Sequence, residues 1–117
     1  MREILFRGKR VDNGEWITSN SIMQTNYSGT FLWYEGCWRE VISETVGQYT
    51  GLPDKNGKKI FEGDFIRSNS ERGYIEYYPS DCAFEVVDDH GFYWFISGMS
   101  NIEVIGNIHD NPELLEG

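Results

Sequence analysis

The chain has 117 residues, 39% of them hydrophobic and 15% aromatic, and a formal net charge of −9. That length suits one domain or two small β modules, with a core that needs neither metal nor disulfide. No apolar run reaches the roughly 20 residues of a membrane helix, and two cysteines without a CxxC spacing exclude a zinc ribbon.

The charge is unevenly placed. Residues 1–72 hold all ten Lys and Arg against ten Asp and Glu, so the whole acidic excess lies in residues 73–117. Such a field repels a phosphate backbone, and it disfavours nucleic-acid binding by the C-terminal half. Its simplest role is a solvated surface that keeps the protein soluble. A face for a basic partner, or a mimic of nucleic acid, is the sharper alternative.

In chain order, Met1-Arg2-Glu3-Ile4-Leu5-Phe6-Arg7 breaks its apolar stretch with charges, unlike a signal peptide. The expectation is a cytoplasmic protein with Cys37 and Cys82 as free, buried thiols. Asp12-Asn13-Gly14 is a hairpin turn signal and predicts strands over residues 3–9 and 15–19. Ser21 to Gln24 continues as strand or loop. Thr30-Phe31-Leu32-Trp33-Tyr34 and Cys37 to Ile42 are strands joined by Glu35-Gly36, and Thr45 to Thr50 is extended.

The stretch Gln48–Ile66, QYTGLPDKNGKKIFEGDFI, holds the densest turn chemistry. Pro53 to Gly57 reads as a surface loop, and Glu62-Gly63-Asp64 as a tight reversal with Gly63 at positive φ and Asp64 capping the turn. The stretch is a rigid junction that closes an N-terminal region, residues 1–57, and turns the chain into a second one, residues 58–117. There, strands beginning near Phe65, Gly73, Ala83, Phe92 and Ile102 follow one another at short, regular intervals. Five short strands with regular turns predict a small SH3-like barrel, packed with a smaller N-terminal hairpin and meander region. Asn111-Pro112-Glu113 predicts one terminal helical turn, with Asn111 as N-cap. The fold class is mainly β.

No catalytic signature emerges. His90 and His109 are the only histidines, each beside an acidic residue, and both sit at predicted turns without the organised spacing of a metal site. No GxSxG, GxGxxG or Walker pattern is present. The expectation is no catalytic residue, no cofactor and no metal. Phe92 to Ile96 is apolar on both faces, which suggests cover from the N-terminal half or from another subunit. Tyr93 and Phe95 on one face, with the basic loop tip of Lys55, Lys58 and Lys59, are therefore candidate contacts for a protein partner or a second copy. Arg2, Arg7, Lys9 and Arg10, with the same three lysines, are the cations open to a nucleic-acid alternative.

Three blocks carry a family resemblance: Met1-Arg2-Glu3-Ile4-(x)-Phe6-Arg7, then Gln48 through Asp64, then Val104-Ile105-Gly106-Asn107-Ile108-His109-(x)-Asn111-Pro112-Glu113-Leu114-Leu115. In this order they resemble the YopX family of phage and prophage proteins. The resemblance implies a small β-rich protein with an SH3-like barrel, encoded by a phage or prophage and working in the bacterial cytoplasm. It carries over no catalytic residue. The leading expectation is a non-enzymatic accessory protein acting through a protein partner or self-assembly. Nucleic-acid binding is second, and a small hydrolase third.

Overall fold

A computed structural model describes residues 3–69, 71–88, 91, 93–96 and 99–116. His90, Arg2 and Phe92 of the sequence analysis lie outside the described residues. The protein is mainly β, in three antiparallel sheets, and divides into two compact units, Met1–Gly51 and Leu52–Gly117.

In the first unit, β1 (Phe6–Lys9) and β2 (Trp16–Ser19) form the predicted hairpin, paired from Phe6↔Ser19 to Lys9↔Trp16. The turn chemistry is local. Asn13 Oδ1 accepts the Glu15 amide at 2.9 Å, and Gly14 N donates to Arg10 O at 3.0 Å. Strands β3 (Ile22–Thr25), β4 (Gly29–Tyr34) and β5 (Cys37–Val41) make a three-stranded meander. Glu35 and Gly36 both take positive φ, 50° and 83°, as a two-residue type I′ connection requires. That tight turn sets the register Tyr34↔Cys37 and Trp33↔Trp38. The core is Ile17, Leu32 and Val41, with Phe6, Ile22, Tyr34 and Val46 packed on it.

A 3-10 turn, Ser43–Thr45, then ties the unit together. Thr45 is buried, and its Oγ1 accepts the Lys9 amide at 2.9 Å while donating to Ile42 O at 2.6 Å. Strand β6 (Gly47–Pro53) follows, pairing through Gln48 and Gly47 with Phe6 and Arg7 of β1. It runs on past Gly51 into the second unit, where β7 (Lys59–Phe61) follows it.

The second unit contains one five-stranded sheet of β8 (Asp64–Ser68), β9 (Glu71–Tyr78), β10 (Ala83–Asp88), β11 (Tyr93–Phe95) and β12 (Ile102–Asn107). The strand count matches the expectation. The order is β11-β10-β9-β8-β12, with β11 and β12 as edges, so the described residues form an open sheet and no closed barrel. A bulge between Val104 and Gly106 shifts the β12–β8 register. The core on one face is Ile60, Ile66, Ile75, Phe84, Val86, Ile96 and Ile102.

Two carboxylates hold this unit's loops. Asp64 is almost fully buried, and its Oδ2 accepts the Phe61 amide at 2.8 Å, the turn cap the sequence predicts, around Gly63 at φ 92°. Asp54, expected in a surface loop, is instead 7% exposed. Its Oδ1 accepts the amides of Asn56 (2.8 Å) and Lys58 (2.9 Å), and its Oδ2 accepts Val104 N at 3.1 Å. The Lys55 amide adds a bond to Ile102 O at 2.8 Å. The loop is thus pinned to β12.

A 3-10 helix, Pro112–Glu116, supplies the terminal turn. Asn111 stands at the predicted N-cap position, its carbonyl accepting the Leu114 amide at 3.0 Å, but its side chain does not cap the helix. Its Oδ1 turns back to accept the Asn107 amide at 3.2 Å. Both cysteines are free as expected, but neither is buried: Cys37, at the start of β5, is partly exposed, and Cys82 is exposed because it sits in the β9–β10 turn.

Candidate functional site

Alternation along β4 sends Thr30 and Leu32 into the first unit's core, and leaves Phe31 and Trp33 on the outer face. On β5, Trp38 and Glu40 are outward and exposed. Met23 of β3 pairs with Phe31, and Trp33 with Trp38. The outer face therefore presents Met23, Phe31, Trp33 and Trp38 together. Trp33 is 45% and Trp38 40% exposed. Their rings meet edge to face at 5.4 Å and 80°, an arrangement that holds both rings in place, by about 1 kcal/mol, while leaving their surfaces available.

The charges beside this face are mostly engaged. Arg10 donates Nε and Nη2 to the two oxygens of Asp12, at 2.9 and 2.6 Å. The bond holds Arg10 above and Asp12 below its ordinary pKa. Arg39 donates to the carbonyls of Tyr34 (3.2 Å) and Glu35 (3.5 Å), strapping the hairpin turn. Glu40, exposed, has no cationic partner among the described residues. Where β5 meets Val11 a recess of about 240 Å³ opens, lined by Val11, Asp12, Trp38, Arg39 and Glu40.

The residues singled out in the sequence are each placed within their own unit. The Lys55 ammonium lies 4.0 Å from Glu103, which also binds Arg67 at 2.5 Å, so this lysine already has an intrachain acidic partner. Lys58 holds the loop through its backbone amide on Asp54. Lys59 opens β7 and is exposed. Tyr93 and Phe95 pair through their backbones with Val87 and Glu85, and their side chains lie outside the described residues. In the N-terminal cation set, Arg7 and Lys9 lie over the Trp16 ring, 4.8 and 5.7 Å from its centre. His109 lies in the turn after β12, its amide on Asn107 Oδ1. No group of three or more His, Cys, Asp or Glu side chains able to hold a metal occurs among the described residues. Among the described residues no helix is long and apolar enough to cross a membrane.

Two buried carboxyls of the second unit are perturbed, in opposite directions. Glu85 is 5% exposed and lies opposite Glu76 on β9. Burial, then the Asp81 carboxyl hydrogen-bonded to it, pushes its pKa up. Asp54 is displaced the other way: burial opposes its charge, but the amides of Val104, Lys58 and Asn56 outweigh it and hold the pKa down.

The Trp33–Trp38 pair is not among the candidate contacts expected from the sequence. The Glu35-Gly36 turn was the available signal, because a two-residue loop forces those tryptophans opposite each other on one face.

Fold and surface together define a two-unit, mainly β protein that displays an aromatic sheet face. A family model for YopX protein matches residues 5–116, and the chain belongs to the YopX family. Among solved structures it is similar to the crystal structure of protein EF1440 from Enterococcus faecalis, at 25% identity and a TM-score of 0.54, covering 98% of this chain and 99% of that one. No curated protein matches the chain.

Proposed function

We propose that the protein is a non-enzymatic binding module that engages a protein partner through the outer face of the β3-β4-β5 sheet. The observation that carries this reading is the exposed, mutually braced Trp33–Trp38 pair, with Phe31 and Met23 beside it. Aromatic anchors held in place before contact are the residue type that dominates binding energy at protein interfaces. The family resemblance adds a phage or prophage accessory protein acting in the bacterial cytoplasm, with the five-stranded sheet curled in an SH3-like manner. The Lys55, Lys58 and Lys59 tip, with Tyr93 and Phe95, is a weaker second contact, since Lys55 is already drawn to Glu103.

Nucleic-acid binding is the second reading, and it rests on Arg7 and Lys9 over Trp16. Gel shifts at low salt test it: a shift at micromolar protein supports it, and no shift removes it.

The main test is site-directed photo-crosslinking in bacterial lysate. A crosslinking residue at Phe31, on the outer face, is expected to give a discrete protein adduct. The same residue at Tyr77, exposed in the second unit, is expected to give none. No adduct at Phe31, or equal adducts at both positions, removes the reading.

A further inference from the structure

The outer edge of β5 carries an unusual opening. The Trp33 amide donates to Ser21 O at 3.2 Å, on the β3 side, so Trp33 turns its backbone polar groups away from β5. Trp33 and Trp38 are then a non-hydrogen-bonded pair, and Trp38 directs its own N–H and C=O away from β4, to the outer edge. One step along that edge the groups are taken. Val11 N donates to Glu40 O at 3.0 Å, Ile42 N donates to Lys9 O at 2.8 Å, and Arg10 bridges Val41. After Val11 the chain turns away, held by the Arg10–Asp12 pair. Cover ends there, and the 240 Å³ recess lined by Val11, Asp12, Trp38, Arg39 and Glu40 begins. Across that edge the Trp38 backbone has no bond among the described residues.

We infer that this open edge at Trp38 accepts an extended segment of a partner protein as an added β-strand, with a Lys or Arg of that segment meeting Glu40. The inference rests on the binding role proposed above and specifies its mode. An exposed strand edge supplies aligned donors and acceptors, and neighbouring side chains give selectivity. The selectivity follows from charge. Arg10 and Arg39 are consumed by Asp12 and by backbone carbonyls, which leaves the Glu40 carboxylate as the charge a ligand can neutralise. The Trp38 ring, exposed beside the edge, covers the apolar stem of such a side chain. A second copy of this chain fits less well. Docked two-fold about Trp38, it sets its Gly36 against Glu40, where Val11 already sits.

The test uses the full chain and a library of short random peptides, displayed and selected on it. Enriched peptides are expected to alternate β-branched residues and to carry one Lys or Arg. The best of them, synthesised, is expected to slow hydrogen exchange at the Trp38 amide. Methylation of one inward-facing peptide nitrogen is expected to weaken binding by about tenfold, as loss of a backbone bond implies. Glu40→Lys is expected to reverse the preference from a basic to an acidic peptide. No enrichment, or bound peptides that are insensitive to N-methylation and leave Trp38 exchange unchanged, overturns the inference. If such insensitive peptides are still lost with Trp33→Ala, the aromatic-face reading survives while strand addition fails. Trp38 protection that disappears on dilution, with a doubled mass by light scattering, also overturns it, because the edge then pairs with itself.

Discussion

In the first unit's meander, the sheet face turned from the core displays Trp33 and Trp38, whereas the five-stranded sheet of the second unit buries Phe65, Val87 and the carboxylate-bearing Glu85 away from its core cluster. Phe65 meets Tyr74 edge to face at 6.1 Å on that second face. Both sheets follow the same two-residue alternation, so the sequence pattern alone does not separate them. The difference separates surface aromatics that are packed within their own unit from those that stay exposed. The second unit spends its polar side chains on its own loops, through Asp54 and Asp64. In the first, Arg10 binds Asp12 and Arg39 straps the Glu35-Gly36 turn, and the outer aromatic face stays exposed.

Four substitutions sharpen the contrast, from the largest effect to the smallest. In Gly73→Ala the new Cβ meets the Val87 carbonyl oxygen at 2.3 Å, inside any tolerable contact. Strands β9 and β10 must separate locally, and a loss of about 3 kcal/mol is expected in denaturant unfolding. Asp54→Ala leaves the amides of Asn56, Lys58 and Val104 without their acceptor, with a loss of about 2 kcal/mol.

The Asp54 effect has a pH signature. Because the folded-state pKa is lowered, its contribution is fully present above the ordinary value of 3.8 and fades as pH falls through the lowered one. Wild type and Asp54→Ala should therefore converge in stability in strong acid, and a gap that stays constant down to that range contradicts the assignment.

Trp38→Ala in the first unit is expected to cost about 1 kcal/mol of stability, since the residue is 40% exposed, lies outside the core cluster and loses mainly its contact with Trp33. A loss comparable to that of Gly73→Ala would make the pair structural and erase the contrast. The smallest effect is a gain. Glu85 has a raised folded pKa, so the folded state holds a proton that the unfolded chain releases between the ordinary 4.5 and that raised value. Stability falls as pH rises through that window. Glu85→Gln should therefore be slightly more stable than wild type at neutral pH, and the advantage should vanish below about pH 4.5. Thermal melts across pH check it.

Much of the local architecture was legible because its causes are local. Asn13-Gly14 and Glu35-Gly36 carry the backbone preferences of their turns, and Asp64 caps an amide three residues away. Asp54 does lie in a loop, but its burial was not legible, because one of the amides it accepts, Val104, lies 50 residues on. The Lys55 tip looked free for the same reason, with Glu103 supplied by β12. Barrel closure was expected from strand count, but closure depends on whether edge strands meet, which no spacing encodes. That Trp33 and Trp38 lie on strands joined by a two-residue turn was visible. Which face of their sheet stays uncovered was not, since alternation names two faces and leaves open which one packs.

The central claim is that the protein binds its partner through the outer face of the β3-β4-β5 sheet. Affinity for the protein crosslinked at Phe31 tests it most directly, comparing Trp33→Ala/Trp38→Ala with Tyr77→Ala, each checked for an unchanged fold by circular dichroism. The account predicts a loss of about thirtyfold or more, on the order of 2 kcal/mol, for the tryptophan pair and little change for Tyr77. Equal affinity for the folded double variant and wild type, or a greater loss at Tyr77, would contradict it.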